Sequence, residues 1–158
     1  MSSSVSKAPS SADLDCSRTL IDPRGPRFGA SVTTVVLAAA LILNGTTAGT
    51  VLIAWQTLVF ALGAIVGLQA QPYGVFFRKV IKPRLGPPAE MEDAAPPRFA
   101  QAVGLAFLVV ALVAALLGAT VVAAVAVAFA LAAAFLNAVF AFCLGCEMYL
   151  LGQRLAHR

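Results

Sequence analysis

The chain has 158 residues, of which 60% are hydrophobic and 11% charged, with a mean hydropathy of +0.90; soluble domains run at roughly 25% charged. A soluble fold of this length must cover its surface with polar groups that are missing here, so apolar surface has to face lipid or another protein. The net charge of +4 reads as juxtamembrane anchoring on anionic lipid rather than nucleic-acid binding, because no aromatic and basic groove accompanies it.

Residues 1–21 are rich in Ser and Ala with little to bury, and read as a disordered cytoplasmic tail. No apolar run follows Met1 closely enough for a secretory signal peptide, so the first hydrophobic segment is expected to stay in the mature protein. Residues 22–158 read as a single transmembrane domain.

No Asp, Glu, Lys or Arg occurs from Phe28 to Phe77 or from Phe99 to Cys146. A spanning helix needs roughly 20 apolar residues, so each uncharged block has room for two crossings and predicts a helical hairpin. The first hairpin divides at Asn44-Gly45-Thr46-Thr47, which is turn chemistry, giving spans at about 28–44 and 49–70. The second divides near Gly118-Ala119-Thr120, giving spans at about 99–117 and 120–150, the last tilted or extending beyond the bilayer. The fold class is all-α: four transmembrane helices in two hairpins.

Between the hairpins runs a cytoplasmic connector, 71–98. Its first part sets Phe76, Phe77, Val80 and Ile81 beside Arg78, Lys79, Lys82 and Arg84, which suits a short helix lying among lipid headgroups. The stretch from Gly86-Pro87-Pro88 to Pro96-Pro97 is Pro-rich and acidic, and is expected to lack regular structure. All eleven Lys and Arg lie in the tail, near the hairpin entries at Arg27 and Arg98, in the connector, or after the last span. By the positive-inside rule both termini and the connector are cytoplasmic.

Asp22, Pro26, Arg27 and Phe28 recur at the same spacing as Asp93, Pro97, Arg98 and Phe99, each set just before a hairpin. The physical reading is that Pro starts the helix, Asp caps it or partners Arg, and Arg and Phe mark the interface. The echo fits a 2+2 repeat about an axis along the membrane normal.

The uniform apolar composition breaks at Cys143-Leu144-Gly145-Cys146-Glu147. On a continuous helix these two thiols and the carboxyl share one face, through i, i+3 and i, i+4 spacing. They are the candidate site: a dithiol/disulfide couple, a persulfide carrier or part of a metal site, with buried structural thiols as the plain alternative. Against redox chemistry, a helix C-terminus does not favour thiolate, and that is where a last span of 120–150 puts them. Glu147 has Arg154, Arg27 and Arg98 as possible partners on the same side. Gln56, beside Trp55, and Asn137 are the intramembrane polar residues, and hydrogen bonds between helices account for both. Cys16 in the tail and the lone His157 are weaker candidates, and Asn44-Gly45-Thr46, although a glycosylation sequon, reads as a turn. No cofactor-binding or metal-binding set is expected, and no phosphate loop, HExxH or GxSxG is present, so nucleotide-driven and hydrolytic chemistry have no support.

Taken together, Asp22-Pro23-Arg24-Gly25-Pro26-Arg27-Phe28, the Pro72-Tyr73-Gly74 to Pro88 segment, Pro97-Arg98-Phe99-Ala100-Gln101 and Leu136-Asn137 through Cys146-Glu147-Met148-Tyr149 resemble the bacterial membrane family called domain of unknown function 4395. The resemblance covers about residues 15–155. It implies an inner-membrane protein of actinobacterial type with no assigned activity, and makes Cys143, Cys146 and Glu147 the feature most like a functional signature. It also implies companionship with a thioredoxin-like or sulfurtransferase protein, which suits a thiol relay. Two further function classes remain: a non-enzymatic accessory subunit that organises partners in the membrane, and a small-solute transporter, for which Gln56, Asn137 and Glu147 are few polar residues. The small-residue-rich helices also leave apolar surface open to homo-oligomerisation.

Overall fold

The computed structural model describes residues 19–88 and 90–156. Cys16, His157 and most of the N-terminal tail lie outside the described residues. In chain order the elements are β1 (Leu20–Ile21), α1 (Arg24–Ile42), α2 (Thr47–Ala61) with a π-helical extension Leu62–Val66, α3 (Pro72–Phe76), a second π turn Phe77–Ile81, α4 (Lys82–Leu85), β2 (Glu92–Asp93), α5 (Ala95–Leu116), α6 (Thr120–Phe140) and α7 (Leu144–Ala156). Four of these helices, counting α2 with its extension, are long and apolar enough to cross a membrane: Arg24–Ile42, Thr47–Val66, Ala95–Leu116 and Thr120–Phe140. The molecule is an all-α polytopic membrane protein.

The spanning helices pack in the cyclic order α1, α2, α5, α6, with α6 closing back on α1. Their shared core is Leu37, Ala40, Ile53, Leu108, Ala111, Ala126, Val127 and Ala130. The alanines let backbones approach closely, which matters in lipid, where apolar burial supplies little drive for association and packing supplies most of it. The helices on either side of both short turns start and stop for local reasons. Thr46 accepts from the Gly49 N–H at 3.1 Å and caps α2, while Gly45 and Gly118 take positive φ at 81° and 75°. The two turns meet each other, Asn44 Nδ2 donating to the Thr120 carbonyl at 3.0 Å.

At the opposite end, the connector departs from expectation. Glu92 and Asp93, in the stretch expected to lack regular structure, form a short antiparallel pair with Leu20 and Ile21, so the segment before α1 is tied to the segment before α5. The two aspartates of the sequence echo act alike: Asp22 Oδ1 accepts from the Arg24 N–H at 3.0 Å and Asp93 Oδ1 from the Ala95 N–H at 2.9 Å, each closing a turn just ahead of a spanning helix. The basic segment is helical over most of 72–85, but it is not simply laid on the surface. Phe77 is buried beside Phe28, ring centroids 5.9 Å apart, and Gln71 is buried against α2 and α5.

The most consequential difference lies at the end of the chain. Where a single span of about 120–150 was expected, α6 stops at Phe140 and α7 begins at Leu144. Ala141 adopts a left-handed conformation, φ 55°, and its N–H and that of Phe142 both bond back to the Leu136 carbonyl, the latter at 3.3 Å, closing the helix end. The chain then turns onto α5 and continues as α7.

Candidate functional site

The break at Ala141 changes the setting of the cysteines. Cys143 no longer sits near the C-terminal end of a long helix; it immediately precedes α7, at the N-terminal end. Its carbonyl accepts the first helical bond, from the Glu147 N–H at 3.0 Å, and its Sγ accepts from the Cys146 N–H at 3.3 Å. Those are the contacts of an N-cap residue, made here by sulfur. The Cys143 and Cys146 sulfurs are in disulfide contact, with their Cα atoms 5.1 Å apart, a separation within the normal range for a bridge. A helix N-terminus presents unpaired N–H groups and the positive end of the dipole, the environment that favours a thiolate over a thiol. The sequence-level objection to redox chemistry therefore does not hold for this geometry.

Two features hold α7 in place. Gly145, between the cysteines, is buried against Ala100 of α5, and Phe99 and Tyr149 bring their rings to 5.7 Å. Cys143 and Cys146 are both half-buried, while Glu147 is exposed and pairs with no cation among the described residues.

The cysteine pair separates two spaces. On the polar side a groove of about 560 Å³ is bordered by Arg24, Arg27, Glu92, Asp93 and Glu147, with both Cys143 and Cys146 in its wall. On the bundle side a cavity of about 230 Å³ runs between the helices, lined mainly by apolar residues, including Phe60, Phe107 and Phe129, and reached by Cys143 but not Cys146. Asn137 borders both spaces. At the groove's edge Asp22 is 8% exposed and accepts from Arg24 through its backbone N–H, Nε and terminal nitrogen at 3.0, 3.1 and 3.0 Å. The hydrogen bonds from Arg24 hold the Asp22 carboxyl below the ordinary carboxylate value against the opposing effect of burial. Arg24 also reaches the Leu85 and Gly86 carbonyls, which ties the connector's helical segment to the base of α1.

The other residues singled out in the sequence are spread through the structure. Gln56 is fully buried; its Nε2 donates to Thr33 Oγ1 at 3.0 Å and its Oε1 accepts from Tyr73 at 3.0 Å, while Trp55 Nε1 donates to the Tyr73 oxygen at 3.0 Å. Burial pushes the Tyr73 phenol above its ordinary value. Arg98 donates to the Ala64 and Ile65 carbonyls at 2.8 and 2.7 Å, satisfying the open end of the α2 extension. Arg78 donates to Gln69 Oε1 and to the Gln69 carbonyl at 3.1 and 2.9 Å, in the turn that follows that extension. Lys79 and Arg84 are exposed, Lys82 is half-buried, and Arg27 lines the groove. Sequence reasoning missed Thr33, Gln71, Tyr73, Gln101 and Gly145. The signal available for Gly145 was its place inside the cysteine motif; for the rest, the partners come from distant segments. Among the described residues, no cluster of three or more His, Cys, Asp or Glu suits a metal ion.

A family model described as domain of unknown function (DUF4395) matches residues 21–154. The chain belongs to the DUF4395 family. The match covers all four spanning helices, the segment between α2 and α5 and the cysteine motif, so the candidate site lies inside the matched region. No curated protein and no solved structure matches the chain.

Proposed function

We propose that this DUF4395 protein is a membrane thiol–disulfide carrier, with Cys143 and Cys146 as its redox couple. The observation that supports this best is the sulfur pair at the N-terminus of α7, opening on a charged groove. An aqueous dithiol attacks the bridge through its thiolate, a mixed disulfide forms, and the second thiol resolves it. The attacking dithiol leaves as a disulfide, and Cys143 and Cys146 each gain an electron and a proton. Glu147, in the first turn of α7, is the local proton acceptor and electrostatic tuner in this scheme. The orientation that fits the cations puts the groove on the cytoplasmic side of a bacterial inner membrane, with both chain ends there, and makes a thioredoxin-like protein the aqueous partner.

Maleimide labelling in intact membranes, before and after reduction, tests the reading in a Cys16→Ser background. Labelling of Cys143 and Cys146 that appears only after reduction, assigned by Cys143→Ser and Cys146→Ser, is the expected result. Two thiols that are reduced throughout and stay unreactive until the protein is denatured would instead make them packing residues, and the chain an accessory subunit.

A further inference from the structure

We infer that the cavity behind Cys143 binds the ring of a membrane quinone, which takes the electrons of the cysteine couple; the inference rests on the thiol–disulfide reading above. The starting point is a chemical requirement. Dithiols facing a reducing cytoplasm are returned to the thiol form by the bulk thiol pool, so a couple that cycles there needs an oxidant from elsewhere. The second space beside the pair lies within the bundle, not in water. From Pro97 at its mouth to Phe107 it follows ten residues of α5, about 15 Å at roughly 1.5 Å per residue, so it extends well into the apolar span. An oxidant arriving by that route is lipid-soluble.

The walls narrow the class. Phe107 and Phe129 stack at 5.8 Å and 28°, offering flat apolar surface to a planar ring. The polar groups in the lining have donors to spare. Gln101 spends its Oε1 on Gln71 Nε2, leaving its own amide N–H groups uncommitted, and Thr33 Oγ1 already accepts from Gln56, leaving its hydroxyl hydrogen. The Asn137 side chain makes no hydrogen bond among the described residues and lies beside Cys143 in the lining. A planar, apolar molecule whose polar atoms are carbonyl acceptors, and which takes two electrons, matches all three features. The step balances: as the S–S bond forms, the two thiols release two electrons and two protons, and the two carbonyl oxygens of the quinone take them up to become the hydroxyls of a quinol. Cys143, which alone of the pair reaches the cavity, is the sulfur that faces the quinone, and both sulfurs remain open to the aqueous groove.

The test uses the full chain with Cys16→Ser in phospholipid nanodiscs, reduced, freed of reductant and mixed without oxygen with a fully substituted benzoquinone carrying a decyl tail, which cannot alkylate thiols. The expected result is one quinol formed and two thiols lost per chain. Ala133→Phe, which fills the cavity, and Asn137→Leu each slow the reaction by on the order of tenfold. A second readout does not depend on those variants folding: the corresponding quinol, which is already reduced and cannot oxidise the thiols, slows labelling of Cys143 but not of Cys146 by a lipid-soluble maleimide that enters through the cavity. Equal rates in wild type and both variants, no quinol formed, or no protection of Cys143 would overturn the inference and leave an apolar cavity filled by lipid chains. Exchange with a glutathione buffer, run on the same sample, separates the two failures. If the pair exchanges but ignores the quinone, only the quinone site is lost; if it does not exchange, the thiol–disulfide reading falls with it.

Discussion

Gly145 lies so close to Ala100 that a Cβ built on it would come within 2.6 Å of both the Cα and the Cβ of Ala100. That approach seats α7 on α5 and so sets where the cysteine pair opens. Backbone cannot yield as the tip of a flexible side chain can, so Gly145→Ala forces α7 outward and is expected to cost about 1–3 kcal/mol. Gly152, on the same helix, has nothing within 4 Å of the equivalent position, and Gly152→Ala is expected to stabilise by up to about 1 kcal/mol through helix propensity alone. Thermal unfolding in detergent micelles, followed by circular dichroism, reads both. Matching shifts of the two variants would mean that α7 does not rest on α5.

A pH dependence follows from Asp22. Its folded value is lowered from an ordinary 3.8, chiefly by the hydrogen bonds from Arg24, so the folded state holds its proton less tightly than the unfolded chain does. The contribution is therefore present in full above the ordinary value and is lost as pH falls through the lower folded value. With the Arg24 side chain 32% exposed, solvent screens the pair and its contribution is small. At neutral pH Asp22→Asn should lower the unfolding temperature, and the gap from wild type should close below about pH 4. A gap that is constant from neutral to acid would show that charge at Asp22 contributes nothing.

Much of the architecture was legible because charge and hydropathy are segregated so sharply: two uncharged blocks, each with a turn where glycine and small polar residues gather, are enough to place four spanning helices in a lipid environment. What was not legible depends on contacts between distant segments. Gln56 stood out as a buried amide, but its partners Thr33 and Tyr73 come from α1 and α3, 23 and 17 residues away. Tyr73 in turn belongs to a connector that sequence reasoning laid on the membrane surface. The cysteine motif was visible; its chemical setting was not, because Phe140-Ala141-Phe142 contains neither glycine nor proline and reads as uninterrupted helix. The stop there goes with contacts distant in sequence, the docking of Gly145 and Tyr149 on α5.

That stop can be tested by the sign of one substitution. In a continuous helix from 120 to 150, residue 141 is interior, and Ala141→Gly would destabilise by about 1 kcal/mol. In the structure Ala141 has φ 55° and ψ 25°, where an L-residue with a Cβ pays roughly 1–2 kcal/mol and glycine pays nothing. Glycine also gives the unfolded chain more freedom, which takes back about 0.5–1 kcal/mol. The net expectation is that Ala141→Gly is neutral to stabilising by up to about 1 kcal/mol, while Ala141→Val, β-branched in a left-handed conformation, loses stability relative to both. The same thermal unfolding measurement decides. A clear loss on glycine substitution would restore the unbroken helix, return Cys143 and Cys146 to a helix C-terminal end, and remove the local field on which their thiol chemistry depends.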